Sequence, residues 1–397
     1  MNDEPSLKHY RQQFPALANK AYFNYGGQGP LPNVALQAIH DAYHFLQQRG
    51  PFSLITNDWL AQAAHQTRQA IAAELAVATE TITLTENVSM GCNIVLWGLD
   101  WQAGDRVLLS DCEHYGIIAA VQELQRRFNL EVSTCPLSTC TTPGEFAATI
   151  TQHLQPRTRL VVLSHILWNT GQVLPLAEIA RACHTYSAGH YPVSLLIDAA
   201  QSVGVLPLDL TQLEVDFYAF TGHKWWCGPA GVGGFYVRPE RLSILHPTFV
   251  GWRNVVLDSA GQPKAWKRDG QRFEIATSAY PTYKGLQAAI ALHPQWGNPQ
   301  KRYQRIQALS HRLWQQLQEI SGVHCLRATP PDSGLVSFQV ANKSHQTFVQ
   351  FLEKRNIQLR KLPDPDCVRA CVHYFTLETE IEQLVEAVDR FCQQTSA

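Results

Sequence analysis

Between about residues 80 and 240, short apolar runs that end in a polar residue or a glycine alternate with stretches of helical periodicity. Six runs read as strands: 81–84, 106–110, 159–164, 195–198, 217–221 and 234–237. Helical stretches such as 116–128 and 175–186 separate them, and the second carries Pro175 near its start with Gly189 just beyond its end, the usual punctuation of a helix. The alternation predicts an α/β fold with a mostly parallel, doubly wound sheet. After residue 285 the texture changes to long amphipathic helices, such as 302–320, followed by short strands at 334–340 and 368–374. A smaller α+β domain is expected there. The Pro/Gly-containing stretch 261–270 reads as an excursion near the junction.

A chain of 397 residues exceeds the usual size of a single core. The expected division is a large domain over 21–285 and a small one made of 1–20 and 286–397. No internal repeat or low-complexity tract interrupts it.

Composition narrows the partners. The net charge of -1 and the lack of any arginine-rich run give no reason to expect nucleic acid, and no apolar stretch approaches the roughly 20 residues of a membrane span. The start, Met1-Asn2-Asp3-Glu4-Pro5, is acidic and polar, opposite to a secretory signal, so a cytoplasmic protein is expected. Its 10 cysteines are scattered and form no Cys-x-x-Cys pair, which favours reduced, buried thiols over disulfides. The 16 histidines form no metal-binding spacing, so no metal is expected.

The chemistry concentrates at strand ends. Phe217-Tyr218-Ala219-Phe220-Thr221 breaks at Gly222 and is followed by His223-Lys224, flanked by Trp225 and Trp226, a poor setting for a solvated lysine. Upstream, Ser194-Leu195-Leu196-Ile197 ends in Asp198. An amine and an acid at two neighbouring strand ends point to pyridoxal phosphate (PLP): the lysine forms a Schiff base and the acid holds the ring nitrogen protonated. Gln201 is a candidate donor to the phenolic oxygen. An N-cap role is the structural alternative for Asp198. Asn87-Val88-Ser89 follows a strand and opens a helix, so its N–H groups and the Ser89 hydroxyl suit a phosphate, with Thr221 and His223 as further candidates. His114, beyond the strand 106–110, is placed to stack on a pyridine ring.

These motifs resemble the class V aminotransferase fold family, in the branch that holds cysteine desulfurases and cysteine/cystine carbon–sulfur lyases. Asp198-Ala199-Ala200-Gln201 resembles the family's Asp-x-x-Gln, and Thr221-Gly222-His223-Lys224 its Ser/Thr-Gly-His-Lys. Asn87 to Asn93 is similar to the phosphate turn and Glu113-His114 to the stacking histidine. The resemblance implies a fold type I PLP-dependent transferase and a homodimer in which Thr277, within 272–277, completes the partner's phosphate site. It implies that Arg369 clamps the substrate's α-carboxylate, that Arg360 assists or reads a second carboxylate, and that Gly26, Gly27 and Asn169 lie at the substrate.

Two departures bear on activity. Desulfurases of the branch carry a nucleophilic cysteine on a longer loop between the two arginines, whereas only 361–368 lies between Arg360 and Arg369, with Cys367 inside it. Many relatives also place an Asn or aromatic contact one position before Asn169. The expected function is therefore β-elimination on L-cystine or L-cysteine, with Lys224, Asp198 and His114 catalytic. The alternatives are a desulfurase passing sulfur to an acceptor protein of the sulfur or iron–sulfur type, an epimerase or kynureninase-like enzyme, and a non-catalytic PLP-binding protein.

Overall fold

The computed structural model describes residues 4–188 and 192–393. Gly189, expected to close the helix at 175–186, lies outside the described residues. That helix itself runs Leu176–His184.

Strand β1 (Ala21–Tyr22) precedes a seven-stranded sheet formed by β2 (Ile82–Thr85), β3 (Arg106–Ser110), β4 (Glu131–Cys135), β5 (Thr158–Ser164), β6 (Ser194–Asp198), β7 (Phe217–Thr221) and β8 (Gly233–Val237). Its spatial order is β2-β8-β7-β6-β5-β3-β4, with β8 antiparallel to both neighbours and the remaining pairs parallel. Every residue of β6 and β7 is buried, as strands covered by helices on both faces require. One apolar cluster fills each face: Leu163, Ile197 and Phe220 point to one, Val162, Leu196 and Ala219 to the other. At ~1.5–3 kcal/mol per fully buried aliphatic or aromatic side chain, these two layers are what anchor the strand ends.

β4 was not among the expected strands. It lies at the sheet edge, and its residues, exposed or half-buried except for Cys135, carry little apolar signal. The excursion at 261–270 contains β10 (Pro263–Trp266), which pairs antiparallel with β9 (Val255–Leu257) in an exposed hairpin.

The C-terminal sheet is antiparallel in the order β11 (Val323–Cys325), β12 (Leu335–Val340), β15 (Asp366–Cys371) and β14 (Arg360–Pro363). β13 (Ile357–Gln358) pairs with β1, and Phe23 is buried in the same core, so residues 21–23 pack with the C-terminal unit. A further apolar cluster, including Tyr10, Phe14, Tyr25, Trp225, Leu335, Tyr374 and Phe375, joins the two units directly behind Lys224.

Candidate active site

The strand order reverses between β3 and β5, and the carboxyl ends of the strands around such a point form the usual ligand crevice of an open α/β sheet. His114 follows β3, Ser164 and Trp168 follow or end β5, Asp198 ends β6 and Lys224 follows β7. All five line one cavity of about 60 Å³, together with Val88, Ser89 and Gln201. Larger cavities exist, of 240 Å³ beside Thr277 and 720 Å³ beside Trp252, but neither gathers an amine, an acid and an imidazole. Chemistry, not size, marks the site.

Lys224 is placed by a tight turn in which the Gly222 N–H donates to the Val232 carbonyl at 3.0 Å and the Gly228 N–H to the Gly222 carbonyl at 2.9 Å. The residue as a whole is half-buried while its amine is enclosed. Burial lowers the amine to about 8, with the Arg369 and Arg360 charges acting the same way and Asp198 opposing. Asp198 is buried, and burial raises its carboxyl against the pull of the Ala200 N–H, which donates to Oδ1 at 2.9 Å, and of the Lys224 charge. That local bond is the turn-type contact the N-cap alternative anticipates.

His114 caps the helix Tyr115–Phe128: its Nδ1 accepts from the Gly116 N–H at 3.2 Å, leaving the proton on Nε2. Burial and then the Lys224 charge lower it to about 4, so the ring is neutral at physiological pH. Trp168 meets it edge-on at 5.3 Å. Beside it, buried Glu113 accepts from the hydroxyls of Ser110 and Ser164 and from the Ser164 N–H at 3.2 Å; burial pushes it up to about 7 against those bonds. Gln201 donates from Nε2 to the Gly26 carbonyl at 3.0 Å and accepts from Trp225 Nε1 at 2.8 Å, which leaves one Nε2 hydrogen for a ligand.

Thr221 and His223 bond to each other at 2.7 Å, and burial lowers His223 to about 4, but neither lines the Lys224 cavity. Ser89 opens the helix Val88–Gly98, which Asn87 caps by accepting from the Met90 N–H at 3.0 Å. Thr277 is exposed and lines the separate 240 Å³ cavity with Thr85 and Glu86, so a single chain does not bring it to Lys224.

On the substrate side, Arg369 is 1 % exposed and donates from Nη1 to the Trp168 carbonyl at 2.6 Å. Arg360 is exposed and stands opposite it in the β14–β15 register. A Cβ at Gly26 would come within 2.8 Å of Arg369 Nη2 and would have to displace the guanidinium; at Gly27 it would meet Asn24 Oδ1 at 2.6 Å. Asn169 is buried and does not line the cavity; its neighbour Trp168 does. Sequence reasoning passed over Trp168 and Glu113 as contributors, although each adjoins a residue it singled out. Trp168 Nε1, in the lining of the cavity, is buried without a protein hydrogen-bond partner and is available to a polar ligand; Arg369 Nε, Asn24 Oδ1 and Asn169 Oδ1 are likewise unpartnered but lie outside that lining.

These residues fit PLP: an enclosed amine of lowered pKa for its carbonyl carbon, a buried carboxyl for its ring nitrogen, a neutral imidazole for its ring face, and a helix N-terminus for its phosphate. Residues 21–384 match the family described as Aminotransferase class-V. The chain belongs to the class V aminotransferase family. It is a PLP-dependent enzyme of fold type I. Among solved class V structures, the cystine C–S lyase C-DES in complex with its reaction product cysteine persulfide is 53% identical, with a TM-score of 0.93, covering 95% of this chain and 99% of that one. Another structure of C-DES holds glycine covalently linked to PLP and is 52% identical. Isopenicillin N epimerase of Streptomyces clavuligerus is 27% identical over 94% of this chain and 95% of its own. A probable cysteine desulfurase of Methanothermobacter thermautotrophicus is 26% identical over 96% of each. Among the described residues, no helix is long and apolar enough to cross a membrane, and no His/Cys/Asp/Glu group is arranged to hold a metal ion.

Proposed function

We propose that the protein is a carbon–sulfur lyase that carries out β-elimination on L-cystine or L-cysteine, giving pyruvate, ammonia and a persulfide or sulfide. The hairpin between the two arginines carries this reading. Pro363 and Asp366 are paired in register, so Asp364-Pro365 alone makes the turn. A thiol that visits a substrate sulfur needs a tether, and this hairpin has none. Cys367 is fully buried within β15, and burial, partly offset by Arg369, pushes its thiol up to about 12. The thiolate is the nucleophile, so that cysteine is inert at neutral pH. Similarity to the cystine C–S lyase supports the same reading.

When bound, PLP supplies the electron sink that makes the α-proton of an amino acid removable. The Lys224 amine, lowered to about 8, is neutral often enough near pH 7 to take that proton. Asp198 would keep a proton at the ring nitrogen, and the neutral His114 would supply a face for the ring to stack on. Val88, Ser89 and Gln201 line the cavity and would hold the phosphate and phenolic ends, with Thr221 and His223, just outside its lining, as further phosphate candidates. Arg369 binds the α-carboxylate, with Arg360 assisting or taking the far carboxylate of cystine, beside Gly26, Gly27 and Asn169. The carbon–sulfur bond then breaks and sulfur leaves with the electron pair. From cystine it leaves as a persulfide anion, the less basic and therefore better leaving group. The unsaturated three-carbon amine left behind hydrolyses to pyruvate and ammonia.

The working unit in this reading is a homodimer, with the partner's Thr277 completing the phosphate site. Its support is the exposed position of Thr277 and the exposed apolar residues Phe52, Leu54, Phe249, Val250 and Trp252, which a second copy would cover. Sedimentation showing a fully active monomer would contradict it.

Incubation with cystine, cysteine and cysteine sulfinate, with pyruvate and alanine assayed separately, tests the reaction. Pyruvate is expected. Alanine together with a trapped persulfide on Cys367 or Cys371 would replace the lyase with a desulfurase that serves an acceptor protein.

A further inference from the structure

The backbone around Lys224 is held to an unusual degree by distant parts of the chain. The Gly222 carbonyl accepts from the Gly228 N–H at 2.9 Å and the Lys224 carbonyl from the Cys227 N–H at 3.0 Å, both within the turn. The His223 carbonyl accepts from the Gly29 N–H at 2.8 Å, and a Cβ at Gly29 would lie 2.1 Å from the Lys224 oxygen, so the 24–29 turn presses directly on the lysine's backbone. The next two carbonyls are met by side chains. Trp225 O lies 2.9 Å from His373 Nε2, and Trp226 O lies 2.9 Å from His293 Nε2.

A carbonyl can only accept, so both imidazoles carry their proton on Nε2. The opposite nitrogens agree with this. His373 Nδ1 accepts from the Tyr374 N–H at 3.1 Å. His293 Nδ1 is 2.7 Å from the Tyr374 hydroxyl, which is 2.5 Å from the Tyr10 hydroxyl, giving one direction of donation from Tyr10 through Tyr374 and His293 to Trp226. His293 and His373 are 2 % and 0 % exposed. Their rings lie face to face at 6.0 Å, and His373 also stacks on Trp225 at 5.7 Å. Burial lowers His293 to about 4 and His373 in the same direction, consistent with both donors staying neutral.

His373 lies two residues past the end of β15, the strand that carries Arg369. Val372 between them donates to the Gly334 carbonyl at 2.8 Å, and Cys371 to the Phe23 carbonyl at 2.8 Å, so the span is rigid. We propose that His373 and His293 are positioning residues for Lys224: they hold the lysine turn at a fixed distance from the arginine that takes the substrate's carboxylate, and so set the reach of the amine to the α-proton. The inference rests on Lys224 carrying the cofactor. Neither histidine touches the reacting atoms, so their loss misplaces the amine without removing a substrate contact.

The closing experiment separates the two assumptions. Borohydride reduction of the wild-type holoenzyme followed by peptide mapping asks only whether Lys224 holds PLP; label on another lysine ends that reading whatever the histidines do. In holoenzyme of His373→Leu and His293→Leu, kcat for pyruvate formation from cystine should fall about tenfold or more with KM changed less than about threefold, because a displaced amine costs rate and an intact Arg369 keeps binding. The pH midpoint of the bound cofactor's visible absorption should move by about half a unit or more. His373→Gln and His293→Gln, which keep an N–H donor, should recover most of both. Folded leucine variants with wild-type kcat and absorption midpoint would overturn the proposal, as would glutamine variants as impaired as the leucine ones. If the leucine variants do not fold, Tyr374→Phe decides, since it deletes only the hydroxyl at His293 Nδ1: a displaced midpoint supports the proposal and an unchanged one overturns it.

Discussion

The turn after β7 and the hairpin of β14 and β15 both lie within the field of Arg369, and each carries a side chain of a type that can serve as a nucleophile or base. At the first, Lys224 has its amine enclosed but facing a cavity, and burial brings it toward neutral pH. At the second, Cys367 is sealed in the strand interior, and burial moves it away from neutral pH. The same physical effect, desolvation of the charged form, activates an amine and silences a thiol. In the reading proposed above, the short hairpin that seals Cys367 is what sets this chain apart from a sulfur carrier.

The contrast breaks most directly at the lysine. Lys224→Ala should lower pyruvate formation from cystine by about a thousandfold or more, within the range expected for loss of a general base that also tethers the cofactor. Turnover near the wild-type rate would remove Lys224 from the chemistry. Asp198→Asn should cost about a hundredfold in kcat, since the amide cannot stabilise a protonated ring nitrogen. Cofactor retention, followed by visible absorption, should change far less.

The lowered amine can be tested without turnover. Only its unprotonated form attacks, so PLP uptake by cofactor-free protein should quicken as pH rises and level off above about 8. Below that value the rate should drop roughly tenfold per pH unit. A rate still climbing at pH 10 would mean an unperturbed lysine. Arg369→Lys should raise KM for cystine about tenfold with a smaller effect on kcat, because the ammonium keeps the charge but loses the bidentate fork. At the other turn, Cys367→Ala should leave pyruvate formation within about twofold of wild type and cost about 1 kcal/mol of stability through the lost packing. Abolished turnover in that variant would erase the distinction between the two turns.

The strand ends that build the site were legible because their signals are local. β3, β6 and β7 each have an apolar interior that gives way to polar residues at the carboxyl end, so Lys224, Asp198 and His114 could be found from the residues immediately before them. β4, exposed at the sheet edge, and β1, whose two residues pair with a strand more than 300 positions away, carry no such local pattern. Trp168 joins the site through a loop between β5 and the following helix, and its role depends on meeting His114 and Arg369 from other segments. His293 and His373 were invisible for a related reason: their partners are backbone carbonyls, which no residue type announces.

The donors to the Trp225 and Trp226 carbonyls also constrain when the enzyme can be finished. During synthesis the ribosome delivers Lys224 about 150 residues before His373, and the last contacts of the lysine turn come from the final strand and its tail. β6 and β7 can pair as soon as they emerge, but the turn they present stays incomplete until residue 373 has been made. In the positioning role proposed for His373, capture of the cofactor in its working geometry waits for that segment, and a chain truncated before residue 373 would carry the lysine without the frame that aims it.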